Sequence, residues 1–150
     1  MSLNQISQIQ EQDKKPGLQA LIGHHSSFIT VKITRNIKFS VNLEQVFKQV
    51  ESNLNYWDYG IEVEIDDQIY HAFIEVHPAS GGHNYQEIFN KTKWLKSILK
   101  NFQIKNPKKL WWINTGSVNN LSKYKLQLAQ CGITGPCKNT DDITSSETYY

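Results

Sequence analysis

The feature that most constrains the fold is a pair of strand-like segments separated by Asp66-Asp67. Residues 59–65 alternate apolar and polar side chains, and residues 69–76 form a second, apolar-rich segment. Alternation with a period of two is typical of a β-strand with one buried face. Asp tolerates the left-handed backbone conformation that tight hairpin turns require. The sequence therefore predicts an antiparallel hairpin with Asp66 and Asp67 at its tip.

A two-residue turn also determines which residues of the hairpin face each other. Glu62 then lies opposite His71. At the open end, Asp58 lies opposite Glu75, and opposed residues are about 4.5–5.5 Å apart at Cβ. His77 follows two residues later on the face of Glu75. The predicted register thus places two carboxylates side by side, next to a histidine.

Helical and strand-like segments alternate on either side of this hairpin. Together they predict an α/β fold in which a mixed central sheet, containing the hairpin, is flanked by helices. The predicted elements are a strand at 28–34, a helix capped by Asn42 with apolar positions from Leu43 to Leu54, the two hairpin strands, a helix opened by the capping pair Asn84 and Glu87, a strand at 109–113, a helix at 120–130 and a short strand after Gly132.

The two ends of the chain differ in composition from its middle. Residues 1–17 are polar and Gln-rich and end in Pro16-Gly17, and residues 138–150 are rich in Thr, Ser and Asp. Segments of this kind rarely bury enough apolar surface to become ordered. We expect a flexible N-terminal arm at 1–17, a single α/β domain at 18–137 and a polar, frayed tail at 138–150.

Charge is small in total but unevenly distributed. The net charge of +2 does not by itself indicate a nucleic-acid partner. No Lys or Arg occurs between residues 49 and 90, whereas seven lysines lie from Lys91 to Lys109. This arrangement suits a cation-dependent enzyme that acts on a polyanion, and it equally suits two solvated faces. Composition leaves both interpretations open.

Composition also bears on location. No apolar run approaches membrane-spanning length, and the N-terminal residues lack the apolar region of a signal peptide. The two cysteines, Cys131 and Cys137, are too few for a secreted disulfide scaffold. We therefore expect a cytoplasmic, bacterial-type protein with no membrane partner.

The paired acids at the open end of the hairpin have a specific chemical consequence. Two carboxylates this close repel each other, so one pKa rises unless a cation lies between them. Two acids and a backbone carbonyl suit Mg²⁺ or Mn²⁺, which can bind a phosphate oxygen and lower the pKa of an attacking water. The structural alternative is that Asp58 merely begins one strand and Glu75 ends the next, with both side chains in solvent.

These residues resemble the signature of the PD-(D/E)XK nuclease superfamily. That family has an Asp near the start of one strand, (D/E)-x-K on the next antiparallel strand, and a following helix that often holds a Gln or Lys facing the site. Here the matching positions are Asp58, then Glu75-Val76-His77, then Gln86. His77 replaces the family lysine. Only two of the family's three consecutive strands fit between the helices, so the predicted strand at 28–34 would supply the third.

The resemblance implies a restriction-endonuclease-like core and a metal-dependent nuclease or phosphodiester hydrolase acting on DNA or RNA. It assigns Asp58, Glu75 and the Val76 carbonyl to Mg²⁺ or Mn²⁺. It gives His77 the role of the lysine as a general base, and Gln86 the placement of water or phosphate.

Two other interpretations stay open. One is a catalytically inactive nuclease-like fold that binds nucleic acid or protein, since the motif lysine is missing. The other is an unrelated α/β domain that works through an oligomer interface, which would be favoured if Asp58 and Glu75 pointed apart. A homodimer is compatible with the sequence but is not specified by it.

Overall fold

The computed structural model describes residues 1–51 and 55–150. Over these residues the chain forms a five-stranded mixed sheet flanked by three α-helices, which confirms the predicted fold class. The elements are β1 (Ile37–Asn42), α1 (Leu43–Lys48), β2 (Tyr59–Ile65), β3 (Gln68–Val76), α2 (Gly82–Asn101), β4 (Lys108–Ile113), α3 (Leu121–Gln130) and β5 (Ile133–Cys137). The strands lie side by side in chain order, antiparallel from β1 to β3 and parallel from β3 to β5.

The β2–β3 hairpin has the predicted register. Asp66 and Asp67 form the turn with φ angles of 50° and 66°, the left-handed pair that a two-residue type I′ turn requires. Glu62 pairs with His71, and the ladder continues to the last pair before Asp58. The hairpin therefore brings the start of β2 and the end of β3 together, where the two candidate carboxylates lie.

The first strand is β1, and the strand predicted at residues 28–34 is wrong. That segment lies between two 3₁₀ turns, His25–Phe28 and Thr34–Asn36, and its Thr30 hydroxyl donates a hydrogen bond to the Thr140 carbonyl in the C-terminal tail. Ile37 and Phe39 in β1 show the same alternation, so the pattern could not distinguish the two segments. β1 pairs with β2 and takes the third antiparallel place that the earlier segment was expected to fill.

Helix α1 begins as predicted and is shorter than predicted. The Asn42 side-chain oxygen accepts a hydrogen bond of 2.9 Å from the Gln45 N–H, which satisfies one of the free donors at the helix start. The helix ends at Lys48. Leu54, which its apolar spacing assigned to this helix, lies outside the described residues.

Helix α2 begins at Gly82, two residues before the cap that the sequence predicts. Asn84 therefore lies in the first turn, where its side-chain oxygen accepts a hydrogen bond of 3.1 Å from the Gly81 N–H. Glu87 does not act as a capping partner and is available for another contact. Neither α2 nor any other described helix is long and apolar enough to cross a membrane.

Apolar side chains cover both faces of the sheet. Phe73 and Trp112 lie in one buried cluster together with the apolar face of α2, and Trp111 lies in a second cluster on the other face. Trp111 and Trp112 are adjacent in β4 and are at most 1% exposed, so neither ring is available for stacking against a ligand. Glu75 follows the alternation of Phe73 and is buried beneath α2.

Both ends of the chain contribute buried residues to the clusters on the sheet. The bounds of the arm (1–17), domain (18–137) and tail (138–150), and the flexibility expected of the two ends, stay predictions. Leu3, Ile6 and Ile9 are buried in the first cluster, and Ile143 is fully buried in the second. The second cluster contains no residue of the three α-helices, so segments outside them cover that face of the sheet. In the arm the buried residues recur every third position, a spacing that the polar composition hid.

Candidate active site

The candidate site is a cavity of about 250 Å³ at the open end of the β2–β3 hairpin. The end of β3, the start of α1 and the middle of α2 meet here. Its polar walls carry Asn42, Glu44, Asp58, Glu75, His77 and Lys91.

Asp58 and Glu75 face each other, as the register predicts. The Glu75 carboxylate accepts a 3.0 Å hydrogen bond at Oε1 from the Asp58 N–H. The Asp58 carboxylate accepts a 2.9 Å hydrogen bond at Oδ2 from the Val76 N–H. Glu75 is 0% exposed and Asp58 is 9% exposed. The alternatives in which these acids extend into solvent or point apart therefore do not describe the structure.

Lys91 on α2 supplies the positive charge of the site. Its Nζ lies 2.6 Å from Glu75 Oε2, and its side chain is 16% exposed. Burial alone lowers the pKa of Lys91, but the carboxylates of Glu75 and Asp58 outweigh burial and raise this pKa above its ordinary value. The ammonium is therefore charged at neutral pH.

Lys91 is missing from the residues that the sequence singles out, although a signal existed. Asn84, Glu87 and Lys91 are separated by three and four positions, so they share one face of α2. Gln86, the predicted helix residue, is exposed and does not line the cavity. On this helix Lys91 reaches the cavity, and Glu87 reaches His77.

Burial dominates the acid–base properties of the two carboxyl groups. It raises the pKa of Asp58 to about 6, against the opposing effects of the Val76 N–H and of Lys91. Burial, followed by the charge of Asp58, raises the pKa of Glu75 well above its usual value. Glu44, at the start of α1, adds to the rise at Asp58. Three carboxyl groups thus share the cavity with one ammonium.

His77 is held through both its main chain and its ring. Its carbonyl accepts a 2.8 Å hydrogen bond from the Trp112 indole N–H. Its Nε2 lies 2.9 Å from Glu87 Oε2, and its Nδ1 lies 3.8 Å from Glu75 Oε2. Burial, aided by the charge of Lys91 and opposed by Glu87, lowers the pKa of His77, so the ring is neutral at pH 7. Because Glu87 accepts the Nε2 proton in a hydrogen bond, Nδ1 is the basic nitrogen.

The chemistry of the oxygen donors fits a hard divalent cation. Asp58, Glu75 and the Val76 carbonyl would hold it, and the cavity contains more carboxyl groups than ammonium groups. Within residues 1–51 and 55–150 no group of three or more His, Cys, Asp and Glu side chains is arranged to hold a metal ion. Mg²⁺ accepts such a small protein ligand set because it keeps several of its own waters.

Part of the cavity wall comes from the segment that precedes β1. His25 begins a 3₁₀ turn, and its Nδ1 lies 2.8 Å from the Tyr59 hydroxyl. The same hydroxyl accepts a hydrogen bond of 3.3 Å from the Ile22 N–H. All three residues line the cavity, and no spacing in the sequence connects Ile22 and His25 with the hairpin.

The site therefore combines two buried carboxylates, an ammonium and a neutral imidazole within one cavity. Such a set can hold a cation, stabilise developing negative charge and accept a proton. No protein-family model, curated protein or solved structure matches this chain. The chemistry of these side chains is what carries the functional argument.

Proposed function

We propose that this protein is a metal-dependent phosphodiester hydrolase of PD-(D/E)XK type that acts on DNA or RNA. The observation that carries the proposal is the cluster of Asp58, Glu75 and Lys91, with the ammonium 2.6 Å from a fully buried carboxylate. Groups with strongly perturbed pKa values that converge in a cavity are concentrated at functional sites. Nucleic acid is the proposed partner, and a cytoplasmic location, based on composition alone, belongs to the proposal.

Lys91 supplies the positive charge of the family's motif lysine, whose position in the sequence is occupied by His77. The family signature places its lysine two residues after the second acid. Here the ammonium comes from α2 and reaches that same acid, Glu75. The resemblance allows for this, because the helix after the motif often holds a Gln or Lys facing the site. At this position Lys91 stabilises negative charge that develops on the phosphoryl oxygens.

The expected cation is Mg²⁺ or Mn²⁺, held by Asp58, Glu75 and the Val76 carbonyl. When bound, it neutralises the carboxylates and polarises a phosphate oxygen. Glu44 lies in the same cavity and adds negative charge that favours cation binding. Burial is the main cause of the raised pKa of Asp58, and the Glu44 charge adds to it, so a bound cation would favour the ionised form of this carboxyl group.

His77 acts as the general base of the proposed reaction. Its ring is neutral at pH 7, and its contact with Glu87 fixes the proton on Nε2. Nδ1 lies on the side of Glu75, where it can accept a proton from an attacking water. Glu87 orients the ring and stabilises it once it becomes protonated.

A catalytically inactive nuclease-like fold that binds nucleic acid or protein is the second candidate. The occupied oxygens of Glu75 favour it, because Oε1 accepts from the Asp58 N–H and Oε2 accepts from Lys91. In that case the ammonium takes the place of a divalent cation. The two candidates therefore differ in whether the cavity binds Mn²⁺ or Mg²⁺.

Calorimetric titration of Mn²⁺ into the wild type and Glu75→Gln distinguishes them, together with incubation of both proteins with plasmid DNA and single-stranded RNA. We expect the wild type to bind Mn²⁺ and to cleave at least one substrate. Glu75→Gln should lose both properties, because it removes one of the two carboxylate ligands.

Glu64→Gln provides the matched control, since Glu64 lies on the same hairpin and pairs with Lys38 away from the cavity. It should retain Mn²⁺ binding and cleavage. Mn²⁺ binding without cleavage in the wild type would favour the inactive fold. Absence of Mn²⁺ and Mg²⁺ binding would contradict the metal-dependent reaction.

A further inference from the structure

A second cavity, of about 460 Å³, lies beside the candidate active site. The 3₁₀ turn His25–Phe28 separates the two cavities. His25 lines the first cavity, whereas His24 and Phe28 line the second. The rest of the second cavity comes from the segments that follow β4 and β5, and it includes Asn114, Gly116, Lys138 and Asn139.

The sheet register explains why the two cavities are neighbours. The parallel pairing aligns the last residues of β3, β4 and β5. The residues that follow these strands are His77, Asn114 and Lys138. Neighbouring strands are about 4.8 Å apart, so Lys138 leaves the sheet about 10 Å from His77. A polymer bound at Asp58 and Glu75 can therefore extend past the ends of β4 and β5 to the second cavity.

The second cavity contains side chains of the kinds that can contact a base and a phosphate. The half-buried Phe28 ring can stack against a base, and the His24 ring meets it edge-on at a centroid distance of 5.5 Å. The amides of Asn114 and Asn139 can donate and accept hydrogen bonds at a base edge. Lys138 is exposed and can contact a phosphate.

The C-terminal tail fixes both walls of this cavity. The Thr140 N–H donates a 2.9 Å hydrogen bond to the Phe28 carbonyl. In return, the Thr30 hydroxyl donates a 2.8 Å hydrogen bond to the Thr140 carbonyl. The turn that carries Phe28 and the tail segment that carries Lys138 are therefore joined. A joined pair of walls is preorganised, which lowers the entropy cost of binding.

We propose that the second cavity is a subsite for the nucleotide that flanks the scissile phosphate of a single-stranded nucleic acid, with its base on Phe28 and a phosphate at Lys138. An unpaired base can be splayed out and stacked on a protein ring without the cost of opening a duplex, which favours single strands. The inference rests on the proposed function for the position of the cleaved bond. Binding in the subsite does not depend on cleavage.

Fluorescence anisotropy with a fluorescein-labelled, twelve-nucleotide single-stranded DNA tests the subsite. The parent protein is Asp58→Asn, without divalent cations, so that the probe stays intact. In this parent we expect Phe28→Leu to weaken binding by about 5- to 150-fold, the loss of one stacked base. Leu retains the packing of Phe28 against its neighbours, and circular dichroism and the Tm verify the fold.

The dependence of affinity on salt separates stacking from charge. Lys138→Gln should lower the slope of log K against log salt by about 0.7, the value for one phosphate contact on a single strand. Phe28→Leu should leave that slope unchanged. Lys125→Gln is the control, because Lys125 is exposed on α3 and does not line either cavity.

The outcomes distinguish the subsite from the hydrolase proposal. If the parent binds the probe and both Phe28→Leu and Lys138→Gln bind like Lys125→Gln, the subsite is wrong and the proposed function is unaffected. If the parent does not bind the probe at all, the subsite is also wrong. If binding depends on Phe28 and Lys138 but the wild type cleaves neither DNA nor RNA, the subsite stands and the hydrolase proposal fails.

Discussion

At the scale of single residues, Glu75 joins the hairpin to α2. It accepts hydrogen bonds from the Asp58 N–H and from the Lys91 ammonium while being fully buried. Replacing one partner of a buried ion pair leaves the other without compensation, which is strongly destabilising. The pair lies beside the last residues of β3, where the proposed reaction would occur. Any substitution of either member therefore has to be accompanied by a measurement of the Tm.

Lys91→Met tests the role assigned to the ammonium. We expect the single-turnover cleavage rate to fall by about 10²- to 10³-fold, because one donor to the developing negative charge is lost. Mn²⁺ affinity should be retained or increased, since Glu75 Oε2 loses its competing cation. A cleavage rate equal to that of the wild type would show that Lys91 only neutralises Glu75.

Asp58 should make the stability of the protein depend on pH. Its pKa is raised from 3.8 to about 6, so the folded protein holds a proton that the unfolded chain has released between these values. The stabilisation is present below pH 4 and is lost as the pH rises through 6. Between pH 4 and 7 we expect the free energy of unfolding to fall by roughly 2 kcal/mol more in the wild type than in Asp58→Asn.

Urea denaturation of both proteins across this pH range measures the difference. Asn keeps an oxygen that can accept the Val76 N–H, so the variant removes the Asp58 titration and retains the hydrogen bond. Parallel stability curves for the two proteins would contradict the raised pKa of Asp58.

The sequence predicts only part of the site. Some of its residues are brought together by a local turn, whereas others depend on how distant helices pack on the sheet. Asp58 and Glu75 are paired by a two-residue turn, which is local information. Lys91 and Glu44 come from helices, and no short-range pattern determines how a helix lies on a sheet. Gln86 is one residue away from Glu87, which turns it by about 100° around the helix and away from the cavity.

At the scale of elements, the hairpin carries a second buried polar pair, closer to its turn than Asp58 and Glu75 are. His71 Nε2 lies 3.0 Å from Glu62 Oε1, and both side chains are at most 2% exposed. The Ser2 hydroxyl and the Leu3 N–H also donate to Glu62, at 2.8 Å each for the Oε1 oxygen. The N-terminal arm is therefore bound to the middle of β2 through a buried carboxylate.

Leu3→Ala measures how tightly the arm is packed. Leu3 is 0% exposed in the first cluster, so its truncation should lower the free energy of unfolding by roughly 2–5 kcal/mol. Leu126→Ala is the matched control, because Leu126 is 72% exposed on α3. Chemical denaturation of both variants gives the comparison. Similar small effects would mean that the arm contributes little to the fold.

The same contrast between local and distant information applies to the elements of the fold. The sequence predicts the hairpin, β4, α3 and the end of α3 before Gly132, because turns, periodicity and caps act over a few residues. The choice of β1 over residues 28–34 depends on which segment reaches the free edge of β2, and both segments alternate alike. The packing of the arm depends on three apolar residues within a polar segment.

At the scale of the whole molecule, the arrangement of the strands places the polar residues of both cavities at one end of the sheet. The parallel strands β3, β4 and β5 all end there, and both cavities open beside their last residues. Ligands of α/β proteins commonly bind beyond the carboxyl ends of parallel strands. Because β2 runs antiparallel to β3, Asp58 just before β2 lies at the same end of the sheet as the last residues of β3.

The free sides of the two outer strands, β1 and β5, determine how easily a strand of another molecule can pair with the sheet. Along the free side of β1, Lys15 exchanges two backbone hydrogen bonds of 2.9 Å with Ser40. On the other side of the sheet, β5 contains Pro136, which has no N–H to donate. A strand from a second molecule that paired along β1 would have to displace the Lys15 segment at Ser40. Both features make the outer strands poorer templates for pairing with a strand of another molecule.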